Sequence, residues 1–140
     1  MEPRISLVTL SVADMARARR FYEALGWRAS GPSEGVTFFQ AGGMILSLYG
    51  RVEQAADANL PTEGSGFGGI VLAHNVRERG DVDCVLAEAK AAGATILKPG
   101  HEIFWGGYVG FFADPDGHPW EVVVAPGIEV GDDRRVHLAE

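Results

Sequence analysis

Twice in this chain an apolar, β-branched run is followed by an amphipathic helical stretch and then by three more strand-like runs. Few folds accommodate that order. In the first copy, residues 5–12 read as a strand and Asp14 opens a helix as its N-cap, with Met15, Ala18, Phe21, Tyr22 and Leu25 on one apolar stripe. Gly26 closes that helix as a left-handed cap, and residues 27–29, 36–40 and 44–49 follow as strands, separated by turn residues at 30–33 and by Gly42-Gly43. In the second copy, residues 69–75 form the strand. Asp81 caps a helix with Val82, Val85, Leu86 and Ala89 on one face, Gly93 ends it, and residues 95–98, 107–113 and 120–124 are strands. The caps Asp14 and Gly26, and Asp81 and Gly93, stand at the same spacing of twelve residues.

The reading is α+β: two βαβββ modules, residues 1–50 and 69–126, joined by a linker at 51–68 and followed by a tail at 127–140. Within the linker a short Ala- and Glu-containing run suits one or two helical turns. The tail, of alternating charge, is an edge strand, a partner-contacting arm or a mobile end. Each module has a curled sheet with a helix on one face only, so the other face needs cover. Two modules side by side, within one chain or between two, would enclose a shared cavity suited to a small ligand.

With 140 residues the chain makes one domain with a single core, or two small modules sharing one. A net charge of −7 without a basic block argues against nucleic acid. No run of about eighteen apolar residues suggests a membrane span, and the start lacks a leader pattern, so a cytoplasmic protein is expected. Cys84, the only cysteine, excludes an intrachain disulfide and reads as a buried small apolar residue in its helix.

The richest stretch for chemistry is GGYVGFFADPDGHPWEVVVA, residues 106–125, where two apolar strands meet at the turn Asp114-Pro115-Asp116-Gly117. Asp114 and Asp116 read as turn formers. Alternation sets Glu121 on one face with Val123, and Trp120, Val122 and Val124 on the other. Glu121 then either lines a cavity or is a solvated edge residue. Thr9 and Ser11 alternate with Val8, Leu10 and Val12, so they share the face of Leu7 and would line the same cavity as Glu121. Phe104-Trp105-Gly106-Gly107-Tyr108 sets three aromatics around two glycines, where the backbone can bend close to a flat ligand. Trp105, Tyr108 and Phe38 are the candidate apolar walls. His74-Asn75 is either a strand-end pair bonding the following loop or a source of a general base at the cavity mouth. His101-Glu102, placed between two strands, and His118, in the turn, repeat no metal-ligand spacing, and no GxGxxG or P-loop pattern occurs.

The segments VTLSVADMARARRFYEALGW and FADPDGHPWEVV resemble the opening and closing modules of the vicinal oxygen chelate superfamily, which includes glyoxalases, bleomycin-resistance proteins and extradiol dioxygenases. The resemblance spans residues 5–126. It implies paired βαβββ modules with a cavity between them, usually in a homodimer. In metal-dependent members a His lies near the start of each first strand and a carboxylate on each last strand. Carried over, those positions fall on Leu7 and Gly69, near Leu48, and on Glu121. Glu121 alone among them can bind a metal, which supplies too few donors for a divalent ion, so no cofactor is expected.

The leading expectation is therefore a glyoxalase-like protein without the usual metal set that binds a small organic, aromatic or antibiotic-like molecule. Thr9, Ser11, Phe38, Trp105, Tyr108 and Glu121 would contact it. The alternative is a lyase or isomerase acting on a carbonyl compound, with Glu121 shuttling a proton and His74 or Tyr108 assisting. A third reading is a structural or regulatory dimer with a vestigial cavity.

Overall fold

The computed structural model describes residue 3 and residues 7–30, 35–59, 61–64, 66–68 and 70–138. Its elements divide into two compact units that meet in sequence between Gly68 and Gly69.

The first unit holds β1 (Leu7–Val12), α1 (Met15–Ala24), β2 (Val36–Ala41), β3 (Met44–Gly50) and α2 (Arg51–Asp57). Its sheet runs β1-β3-β2, with β1 parallel to β3 and β2 antiparallel to it. Asp14 caps α1 as expected, its Oδ1 accepting from the Arg17 N–H at 2.9 Å. Gly26 takes φ +85 just past the helix, the left-handed backbone that stops it. Ala18, Phe21 and Tyr22 are buried against the sheet, where the Tyr22 and Phe39 rings lie 5.7 Å apart and Thr37 reaches Met15. The α1 side of the sheet thus comprises Leu10, Val12, Thr37, Phe39, Leu46 and Leu48, all buried. The strand expected at 27–29 shrinks to a single bridge between Ala29 and Phe39, and residues 31–34 of the following turn lie outside the described residues.

The second unit holds β4 (Leu72–Asn75), α3 (Arg79–Ala92), β5 (Thr95–Glu102), β6 (Tyr108–Ala113), β7 (Pro119–Val124), β8 (Ile128–Val130) and β9 (Val136–Leu138). Its main sheet runs β4-β7-β6-β5, with β4 parallel to β7 and the other pairs antiparallel. This is the arrangement of the first unit with β5 added where Ala29 forms its bridge. The repeat is thus one of topology as well as sequence order. The molecule is α+β with two mixed sheets and three helices among the described residues, and no closed barrel.

Several local expectations change. The cap of α3 is Glu78, three residues earlier than Asp81, which instead sits at the third helical position and completes a capping box. A carboxylate in a first turn suits either place, so local sequence did not separate them. The equal cap spacing therefore does not survive, since α1 has 10 residues and α3 has 14. Cys84 is exposed, because α3 turns Val82, Leu86 and Ala89 to the sheet. His101 and Glu102 end β5 rather than lying between strands; irregular register between Ile96 and His101 lets that strand run past Pro99. The tail forms a hairpin, β8 with β9. The stretch read as a linker belongs to the first unit. Its helix α2 contacts β3 and β1, and Arg51 donates to the carbonyls of Thr62 at 2.9 Å and Gly64 at 3.3 Å.

Candidate functional site

Strand register sorts the candidate residues by face. In the second unit α3 packs on β5, β6 and β7. The Leu86 side chain fills the space above Gly110, where an added Cβ would lie 2.4 Å from its Cδ1. Gly110 pairs with Val122, Phe112 with Trp120 and Tyr108 with Val124, so all six share the α3 side. The stacked Phe112 and Trp120 rings, 6.0 Å apart and 6° from parallel, form its core.

Glu121 is opposite Phe111 on β6 and opposite Ala73 on β4, on the side away from α3. Val109, Ala113 and Val123, all buried, share that side. Glu121 is half-buried, and its carboxylate has no hydrogen-bond or ion-pair partner among the described residues. Phe111, which stands directly across from it, escaped the sequence reading because any apolar residue in a strand core looks alike until a partner strand is known.

Tyr108 and His74 do not join Glu121. Tyr108 lies on the α3 side and donates from its hydroxyl to Asp83 of α3, at 3.1 and 3.2 Å to the two carboxylate oxygens, with the Arg79 guanidinium 5.8 Å above its ring. Desolvation and that hydrogen bond raise its pKa. His74 pairs with Val122 and so also points to the α3 side, where desolvation lowers its pKa and the Glu88 carboxylate opposes the shift. The expected relay from Glu121 through either residue on one sheet face is corrected by this register. Both stand two positions or fewer from the right place in sequence, but alternation sends them to the other side.

Trp105 and its glycines form a closed local unit. Gly106 takes φ +94 in a turn whose N–H bonds the Ile103 carbonyl at 2.9 Å, and the Trp105 ring lies over Gly107, where a Cβ would meet it at 2.0 Å. The close approach that Gly107 permits is thus to Trp105 itself. Trp105 remains 42% exposed and Phe104 98%.

In the first unit, Thr9 and Ser11 do share a face with Leu7, and register adds Ser47, Tyr49 and Phe38 to it, on the side away from α1. Thr9 and Ser47 hydroxyls are 2.6 Å apart. Ser11 accepts a long contact of 3.5 Å from Arg51, and Tyr49 donates to Asp57 at 2.9 Å, which raises the phenol's pKa. Ser47, buried at 1% exposure, was missed because a serine between leucines carries no sequence signal of its own.

The tight turn behaves as read. Asp114 is buried and its Oδ1 accepts from the N–H groups of Asp116 and His118, both at 2.9 Å, with Gly117 at φ +85. The His101 ring is 2.9 Å from the Pro99 carbonyl.

The helix caps also fix which positions of the units correspond. Val12 precedes the cap Asp14 by two residues, and Val76 precedes Glu78 by two. Thr9 then matches Ala73 and Leu7 matches Val71. Since Thr9 pairs with Ser47 and Ala73 with Glu121, Ser47 matches Glu121. One carried-over position is thereby corrected, Gly69 to Val71, and the one near Leu48 falls on Ser47; Gly69 itself lies outside the described residues. The set becomes Leu7, Ser47, Val71 and Glu121. Two alkyl chains, one hydroxyl and one carboxylate do not fit a divalent ion, which needs several converging N or O donors. Among the described residues, no three His, Cys, Asp or Glu side chains converge as a metal-binding group.

A mixed α+β fold of two units that repeat one strand topology defines the class to which known proteins can be compared. The sequence model of the Glyoxalase/Bleomycin resistance protein/Dioxygenase superfamily matches residues 4–122. Among solved structures, a glyoxalase-related enzyme from Fulvimarina pelagi is similar at 32% identity and TM-score 0.89, covering 99% of each chain. A glyoxalase/bleomycin resistance protein/dioxygenase family enzyme from Burkholderia phytofirmans PsJN is similar at 23% identity and TM-score 0.75, over 84% of this chain and 95% of its own. Lactoylglutathione lyase from Agrobacterium tumefaciens shares the fold at 23% identity and TM-score 0.66, over 86% and 92%. No curated protein matches the sequence. The chain belongs to the Glyoxalase/Bleomycin resistance protein/Dioxygenase superfamily.

Proposed function

We propose that this protein binds a small, flat organic molecule against the sheet face that carries Glu121, without a metal ion. The observation that carries the proposal is the carboxylate of Glu121, which has no partner among the described residues and is flanked across β4, β6 and β7 by Ala73, Phe111 and Val123, with Val109 and Ala113 on the same face and the polar Asn75, Thr95, Lys98 and His101 toward its edges. An anion on an apolar surface is worth keeping where something arrives to pair with it. Phe111 beside it offers an aromatic surface, so the ligand presents a cationic or hydrogen-bonding group to Glu121 and a ring to Phe111. In the first unit, Thr9, Ser11, Ser47 and Phe38 offer a second, more polar surface.

A screen of aromatic and antibiotic-like compounds by thermal shift identifies ligands. Glu121→Gln should weaken a cationic hit by about tenfold or more, while a neutral hit changes little. Equal binding of cationic hits by both forms would remove Glu121 from the site. Elemental analysis checks the metal-free reading: one metal per purified chain, or a metal-dependent rise in melting temperature, would overturn it.

A second reading, a lyase or isomerase acting on a carbonyl compound, draws support from the similarity to the Fulvimarina pelagi protein, which is described as a glyoxalase-related enzyme. Glu121 would then be the proton carrier; β5 sets Lys98 opposite Phe111 and His101 opposite Val109 on the same face, but among the described residues neither bonds the Glu121 carboxylate. Binding therefore leads. The protein is expected to act as a cytoplasmic homodimer, which light scattering and cell fractionation check. Among the described residues no helix is long and apolar enough to cross a membrane.

A further inference from the structure

We infer that Asn75 is a ligand-binding residue beside Glu121, and that the two recognise a molecule carrying a carbonyl-type acceptor and an amine or hydroxyl donor a few bonds apart. The inference rests on the binding reading above and adds the chemistry of the ligand. Asn75 ends β4 opposite Val123, two residues on from Ala73, which faces Glu121. Asn75 and Glu121 therefore share the side away from α3. Strands about 4.8 Å apart, with a rise of about 3.3 Å per residue, set their Cα atoms roughly 8 Å from one another.

The Asn75 Nδ2 is closed off from solvent and has no hydrogen-bond partner among the described residues. Its neighbours on this face, Val109 and Val123, are aliphatic and buried, so neither side chain can accept from it. The strand-end role in which Asn75 bonds the following loop is not what the side chain does. A buried amide donor without an acceptor is disfavoured, and native proteins retain few of them. Here the unpaired donor lies diagonally across from an unpaired acceptor, and the two do not bond each other. Asn75 as a residue is partly exposed, so a turn of its side chain presents the amide, and a molecule that then accepts from Asn75 and donates to Glu121 satisfies both at once. Phe111, opposite Glu121, then lies beside the flat body of that molecule.

Three probes separate the contributions: 3-aminobenzamide carries both groups on one ring, benzamide lacks the ring amine and aniline lacks the carbonyl. Binding to the full-length ¹⁵N-labelled protein is followed through the Asn75 side-chain amide signals. The wild type should bind 3-aminobenzamide best, with those signals moving on titration. Asn75→Leu, close in shape to asparagine, should weaken 3-aminobenzamide and benzamide about tenfold and spare aniline. It should also raise the melting temperature of the ligand-free protein by roughly 3 °C, because a buried unpaired donor is gone. Affinity for all three probes that is unchanged in Asn75→Leu, or a lower melting temperature with unchanged affinity, would assign the amide to an internal water or to the fold and overturn the inference. Binding lost in Glu121→Gln but kept in Asn75→Leu overturns the Asn75 role alone. If the wild type binds none of the three, the binding reading at Glu121 falls and this inference with it.

Discussion

At Gly107 a single hydrogen decides where an aromatic ring rests. The Trp105 ring occupies the space a Cβ would fill, at 2.0 Å, and the atoms it would strike belong to a bulky, flat group. Gly107→Ala should therefore expel the ring, shift tryptophan emission to longer wavelength and cost about 1–3 kcal/mol. An unchanged spectrum would show that Trp105 does not pack there. Glu121 makes the contrasting case, since its importance lies in the lack of a neighbour. Its face was legible from alternation within residues 120–124, but its isolation was not, because a hydrogen-bond partner can come from any part of the chain. Tyr108 illustrates the reverse error. As an aromatic beside two glycines it suits a ligand wall, yet its hydroxyl is already committed to Asp83, twenty-five residues away in sequence.

Among the elements, the two helices show how far local signals reach. Asp14 caps α1 by accepting from the Arg17 N–H, so Asp14→Ala should cost about 1 kcal/mol, seen as a lower denaturation midpoint with an unchanged slope. On α3 the box is reciprocal, Glu78 with Asp81, and either carboxylate read alone passes for the cap. The choice between them is made by where β4 ends and by which turn brings Val82, Leu86 and Ala89 onto the sheet. Helix α2 lies at the other extreme, with seven residues and none buried, held by its contacts with β3 and β1 and by the polar contacts of Arg51 and of Tyr49 with Asp57. A sequence reading rightly finds short helical turns there, but a boundary between linker and module is a matter of contacts, which composition does not record.

At the scale of the whole molecule, one contribution to the pH dependence of stability comes from His74. Desolvation holds its folded pKa below the ordinary 6.5, so between those two values the unfolded chain binds more protons than the folded one. Stability contributed by neutral His74 is complete above about pH 6.5 and declines as pH falls toward the depressed folded value. His74→Gln should flatten that decline while leaving stability near pH 8 little changed, as measured by melting temperature across the range. A decline of the same steepness in the variant would assign it to other groups. What the sequence determined by itself was periodic and local: strands alternating by two, helices repeating by 3.6, a DPDG turn, glycines past helix ends, and from their order the α+β repeat of this superfamily. Tertiary structure alone decided which side of each sheet its helix covers, hence that Glu121, Phe111 and Asn75 share a face while His74 and Tyr108 lie behind it. The reason is that alternation fixes relative sides within one strand, whereas the register between strands far apart in the chain, and the helix packed upon them, are set by burial that no single segment contains.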